Sequence, residues 1–162
     1  MEGAEPRTQL SPELRDSLLA RQLNPVPRLK EGRAIAAVGA TAMIDISDGL
    51  GADSGHVAAA SECRLEIDLE TVPLAPGVVE VAGEREAALE LAARGGEDYE
   101  LLVTLPPDKL EEASRAVAEA GSKLTEIGYA TEGEGVALRL QGGRELEPRG
   151  FDQRRGSLSG SG

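Results

Sequence analysis

The chain of 162 residues has 40% hydrophobic but only 2% aromatic residues, which suits one compact domain with a core of Ala, Leu, Val and Ile. Its 17 basic and 29 acidic residues give a net charge of −12, which opposes neutralisation of a phosphate backbone and argues against nucleic acid as a partner. Cys63 is the sole cysteine, so an intrachain disulfide or a multi-cysteine zinc site is excluded and a reducing cytoplasm is the expected location.

No apolar run approaches the roughly 20 residues that span a bilayer, and the acidic, proline-containing start lacks the basic and apolar regions of a signal peptide, so no membrane partner is expected. Residues 1–10 read as a disordered or partly ordered start, 11–154 as the folded domain, and 155–162 as a flexible Gly/Ser tail or linker.

Ser11 is placed to cap a helix with Pro12 at its first position and Leu14, Leu18, Leu19 and Leu23 on one face, and Asn24-Pro-Val-Pro27 stops it. A second helix runs from about Lys30 to Val38. Through Gly39 it leads to a short buried strand, Ala42–Ile46, and then to a helix from about Asp48 to Ser61. Leu65 and Ile67 mark the next strand. A Pro/Gly-rich connection reaches a helix over Glu84–Arg94, closed by Gly95. Tyr99–Leu105 forms the clearest strand, Pro107–Ala120 an amphipathic helix stopped by Gly121, and Leu124–Ala130 and Val136–Leu140 complete the set. This alternation predicts a layered α/β or α+β domain with helices on a sheet, and leaves the strand order open.

Chemistry concentrates in two segments. Asp45-Ile-Ser-Asp-Gly-Leu50 lies where a strand ends and a helix opens, so Asp45 and Asp48 are candidate magnesium ligands and Ser47 could donate its hydroxyl or amide to a phosphate. The alternative is helix capping by Ser47 or Asp48. The spacing fits neither a calcium EF-hand nor a glycine-rich loop followed by Lys-Ser or Lys-Thr. In Gly95-Gly-Glu-Asp-Tyr-Glu-Leu-Leu102, the glycines allow close backbone approach, and Glu97 and Asp98 could bind a cationic or hydrogen-bond-donating substrate; a glycine cap followed by solvated acids is the alternative. His56 reads as a surface or packing residue and Cys63 as a small apolar one. Phe151 either fills the core or stacks on a flat ligand.

Met43-Ile-Asp-Ile-Ser-Asp-Gly-Leu50, Gly95-Gly-Glu-Asp-Tyr-Glu-Leu-Leu102 and Thr125-Glu-Ile-Gly128, with Asn24-Pro-Val-Pro-Arg28 upstream and Gly150-Phe151 downstream, together resemble the carboxy-terminal domain of the thiamine-monophosphate kinases, within the aminoimidazole-ribonucleotide synthetase superfamily. The resemblance covers about Ser11 to Arg154 and implies a three-layer α/β/α domain, partly ferredoxin-like. It implies transfer of the ATP γ-phosphate to thiamine phosphate, giving thiamine diphosphate, with Mg2+ ions. Asp45 and Asp48 are then metal ligands, Ser47 an ATP contact, Glu97 and secondarily Asp98 thiamine contacts, and Phe151 an aromatic against the substrate. Gln153-Arg154 replaces the family's usual His-Phe pair.

An amino-terminal domain carrying further magnesium and nucleotide sites, and a dimer-forming sheet in the complete enzyme, would act in cis or in trans, and the isolated chain is expected to be inactive. The rival readings are a noncatalytic nucleotide- or thiamine-binding module and another enzyme of the same superfamily.

Overall fold

The computed structural model describes residues 10–148. Most of the expected disordered start, the tail 155–162, Phe151 and the Gln153-Arg154 pair lie outside the described residues.

Helix α1 (Pro12–Leu23) opens as expected: the Ser11 hydroxyl accepts the Leu14 N–H, and Pro12 occupies the first turn, where no intrahelical donor is needed. Its apolar face does not enter the core, because no residue of α1 is buried and Leu23 is 72% exposed. Helix α2 (Leu29–Val38) ends at Gly39, whose φ of 110° sets a left-handed cap. It buries Ile35 and packs against α6 (Leu110–Glu119).

Strand β1 (Ala42–Asp45) pairs antiparallel with β3 (Leu101–Thr104) as a separate two-stranded sheet, with Ala42 opposite Thr104 and Asp45 opposite Leu101. Between them in sequence come α3 (Leu50–Ala60), β2 (Arg64–Asp68), the short α4 (Val78–Ala82) and α5 (Arg85–Arg94). The Pro/Gly-rich connection therefore contains a helical turn that its composition did not announce. The expected strand over Leu124–Ala130 starts later: β4 spans Gly128–Thr131.

The second sheet has the order β4, β2, β5 (Gly135–Arg139) and β6 (Glu145–Leu146). Strands β4 and β5 follow one another in sequence yet do not pair. They flank β2, which runs antiparallel to β4 and parallel to β5, with Leu65 opposite Ala130 on one side and Val136 on the other. A central place suits β2, whose Leu65, Glu66 and Ile67 are all buried.

Glu66 is tolerated there because Arg64 and then Arg139 donate to its two oxygens, which holds its carboxyl below the usual carboxylate range.

Helix α3 packs against strands of both sheets and against α5, so Leu50, Val57, Leu65, Ile67, Leu89, Leu138 and Leu146 share one cluster. This core of aliphatic side chains is the one the composition required. The fold is the expected mixed class of helices packed on open sheets. Among the described residues, no helix is long and apolar enough to cross a membrane.

Candidate functional site

The two acidic motifs, some fifty residues apart in sequence, are bonded to one another through their main chains. The Ile46 N–H donates to the Glu100 carbonyl at 2.8 Å, the Tyr99 N–H to the Ile46 carbonyl at 2.9 Å and the Glu97 N–H to the Ser47 carbonyl at 2.8 Å. These bonds carry the pairing of β1 and β3 outward past the last strand residues.

Such an approach needs glycine on both sides. A Cβ on Gly96 would stand 2.6 Å from the Ser47 carbonyl oxygen, and one on Gly49 would stand 2.8 Å from the Gly95 oxygen. Two non-glycine residues here take left-handed conformations, Glu97 at φ 69° and Tyr99 at φ 52°. Strain of this kind, about 1 kcal/mol or more per residue, persists only where the surroundings hold it in place.

The capping alternative for Ser47 and Asp48 does not hold. Helix α3 begins two residues later than expected, with Gly49 as the cap residue and no side-chain bond. Instead Asp53, one turn inside the helix and 2% exposed, reaches back so that its Oδ2 accepts the Ser47 N–H at 2.9 Å and the Asp48 N–H at 3.0 Å. The Ser47 amide is thus already used, which leaves its hydroxyl for a ligand. Asp45, exposed at the end of β1, and Asp48 have no ion pair or side-chain hydrogen bond to the described residues.

His56 is exposed on α3, and Asp48, Asp53 and His56 each bring one potential ligand atom within 4.8 Å of the others.

The second motif lines a cleft of about 780 Å³. Glu97 and Asp98 form one wall with Ile46 and Gly96, Thr125 and Ile127 of the third motif also line it, and Gln22 of α1 reaches in to donate to Glu97 Oε2 at 2.7 Å. Arg28 forks onto Glu100, its Nε at 2.9 Å and a terminal nitrogen at 2.6 Å from the two carboxylate oxygens.

Asp98 keeps access to solvent at its surface, yet protein atoms crowd its carboxyl. That burial, and secondly the Glu100 charge, push its pKa up to about 6. Asp45, Ser47 and Asp48 lie outside the lining of this cleft and join it only through the shared hydrogen bonds.

The arrangement therefore offers unpartnered carboxylates and a hydroxyl on one loop, and a partly apolar cleft of mixed charge, with Glu97 and Asp98 in its lining, against the adjoining segment. Sequence reasoning missed Asp53 and Gln22. The signal for Asp53 was its position in line with Leu50 and Val57, a carboxylate on the inward face of a helix. Nothing local pointed to Gln22.

The model that describes the AIR synthase related protein, C-terminal domain, matches residues 3–141. The chain belongs to that family.

Among the relatives of this AIR synthase related C-terminal domain is the thiamine-monophosphate kinase of Caulobacter vibrioides, 40% identical over 135 residues, which cover 82% of this chain and 38% of the relative. A solved thiamine-monophosphate kinase from Stenotrophomonas maltophilia superposes with a TM-score of 0.74 at 36% identity, covering 81% of this chain and 41% of its own. The structure of AaThiL complexed with AMPPCP and TMP gives a TM-score of 0.70 at 35% identity, covering 88% of this chain and 42% of its own. The domain thus spans 38% of the length of the Caulobacter relative.

Proposed function

We propose that the chain supplies the carboxy-terminal part of a thiamine-phosphate kinase site, working with an amino-terminal domain in cis or in trans to move the γ-phosphate of ATP onto thiamine phosphate. The observation that carries this reading is the main-chain junction of the two motifs, residues 45–50 and 95–102, which joins the loop of Asp45, Ser47 and Asp48 to a cleft lined by Glu97 and Asp98. The relatives named as thiamine-monophosphate kinases support it.

The residues fit a magnesium ion, since the carboxylates of Asp45 and Asp48 have no ion pair or hydrogen bond among the described residues and offer hard oxygen donors, that of Asp48 lying within 4.8 Å of the Asp53 and His56 ligand atoms. Bound there, the ion would neutralise phosphate charge. Asp45 and Asp48 hold it in this reading, and the Ser47 hydroxyl contacts the nucleotide. Glu97 and Asp98 face the cationic thiazolium and the aminopyrimidine donors of thiamine, with Glu97 Oε1 free while Oε2 takes the Gln22 amide. Phe151, the further substrate contact in this reading, lies outside the described residues.

Phosphoryl transfer depends chiefly on positioning and electrostatic stabilisation, so part of a site performs poorly. Steady-state assays with ATP, Mg2+ and thiamine phosphate should show little turnover by this chain alone and a gain when the amino-terminal domain of a relative is added. Binding of thiamine phosphate with no gain on mixing would favour a noncatalytic binding module.

A further inference from the structure

Asp53 poses a question that the site does not answer. It is a buried carboxylate on the core face of α3, and no lysine or arginine among the described residues forms a salt bridge with it. A carboxylate removed from water without a cation is costly unless hydrogen bonds compensate it. Here the compensation comes from two consecutive peptide N–H groups, those of Ser47 and Asp48, which converge on Oδ2.

The other ends of the same peptide groups are also engaged. The peptide joining Ile46 to Ser47 gives its N–H to Asp53 while its carbonyl accepts the Tyr99 N–H. The next, joining Ser47 to Asp48, gives its N–H to Asp53 while its carbonyl accepts the Glu97 N–H. Two parallel chains of hydrogen bonds thus run from one carboxylate, across two peptide planes, to residues 97 and 99.

Those are two of the three non-glycine residues with left-handed backbones among the described residues. A negative charge at the N–H end of a peptide polarises it and makes its carbonyl a stronger acceptor, so the Asp53 charge strengthens the bonds that hold the strained segment.

We propose that Asp53 is a positioning residue for both parts of the site, holding Ser47 and Asp48 directly and fixing the backbone of Glu97 and Tyr99 through the two intervening peptide groups. This rests on the proposed function only in taking Asp48 and Glu97 as ligand-binding residues. Asp53 touches neither nucleotide nor thiamine in this scheme.

The test is amide hydrogen exchange on the full chain, read residue by residue for wild type, Asp53→Ala and Asp53→Asn. In Asp53→Ala the amides of Ser47, Asp48, Glu97 and Tyr99 should exchange at least about tenfold faster, as expected for losing charge-assisted hydrogen bonds, while Ala113 and Val117 of α6 keep their wild-type rates. Asp53→Asn retains an acceptor oxygen without the charge, so the same four amides should lose protection by a smaller factor, roughly threefold. Unchanged rates at Glu97 and Tyr99, or an equal acceleration in α6, would overturn the proposal and leave Asp53 an ordinary structural residue. If Asp53→Ala does not fold, Asp53→Asn decides by the same criterion.

Binding of Mn2+ and of thiamine phosphate to the same proteins separates the two readings. Wild type that binds neither probe even with the amino-terminal domain of a relative added would refute the proposed function while the exchange rates still decide the role of Asp53. If wild type binds, weaker binding of both probes by folded Asp53→Ala is expected, and unchanged binding of both would overturn the positioning role.

Discussion

Glu97 takes a left-handed backbone with its carboxylate turned to Gln22, so a substrate that binds it must compete for one oxygen and can take the other freely. Glu97→Gln keeps the shape and removes the charge. In a reconstituted enzyme it should raise the Michaelis constant for thiamine phosphate more than that for ATP, and equal effects on both would return Glu97 to a turn residue. Asp45→Asn and Asp48→Asn should each lower turnover by about 100–1000-fold at saturating Mg2+, the usual loss for one electrostatic stabiliser, while thermal unfolding barely moves.

Asp98 gives a pH signature of its own. Its folded pKa of about 6 lies above the ordinary carboxylate value, so the folded state is penalised above that pH and the penalty is relieved as pH falls from about 6 toward 4. Asp98→Asn should therefore melt higher than wild type at pH 7.5, with the difference gone near pH 4. A difference that stayed constant across this range would rule out titration of Asp98 as its source.

Among the elements, α1 and α3 stand at opposite ends of a range. Helix α3 is wrapped by both sheets and α5 and buries six of its residues, Leu50, Gly51, Asp53, Ser54, Val57 and Ala58. Helix α1 buries none, and it meets the rest of the fold near one end where Leu14 lies against Gly77 and at the other through the Gln22 to Glu97 bond across the cleft. Protection from exchange follows buried contacts, so the α1 amides should exchange at least about tenfold faster than those of α3. If bound thiamine phosphate displaces Gln22, the α1 rates should rise further while those of α3 stay fixed. Rates in α1 equal to those in α3 without ligand would show that α1 belongs to the cooperative core.

For the whole molecule, the helices other than the short α4 were legible in outline because their caps and periodicity are local: Ser11 with Pro12, Gly39, and Gly121 are each visible in a few residues. The aliphatic core followed from composition, since the chain has only two tyrosines and one phenylalanine, and both tyrosines are exposed among the described residues. The acidic loops were legible as candidate sites, and the resemblance of their motifs to a family is visible in the sequence itself.

Three things were decided only by tertiary structure. The insertion of β2 between β4 and β5 depends on a parallel pairing of Arg64–Asp68 with Gly135–Arg139, a match between distant segments that no local signal encodes. The start of α3 at Leu50, rather than at Asp48, goes with Gly49 at φ 111° and with the Ser47 and Asp48 amides turned inward onto Asp53. The joining of the two acidic motifs depends on main-chain groups, which Gly49 and Gly96 allow to approach but whose partners no side chain specifies. A sequence reports which side chains are available, whereas the partners of its backbone amides are chosen only when the chain has closed on itself.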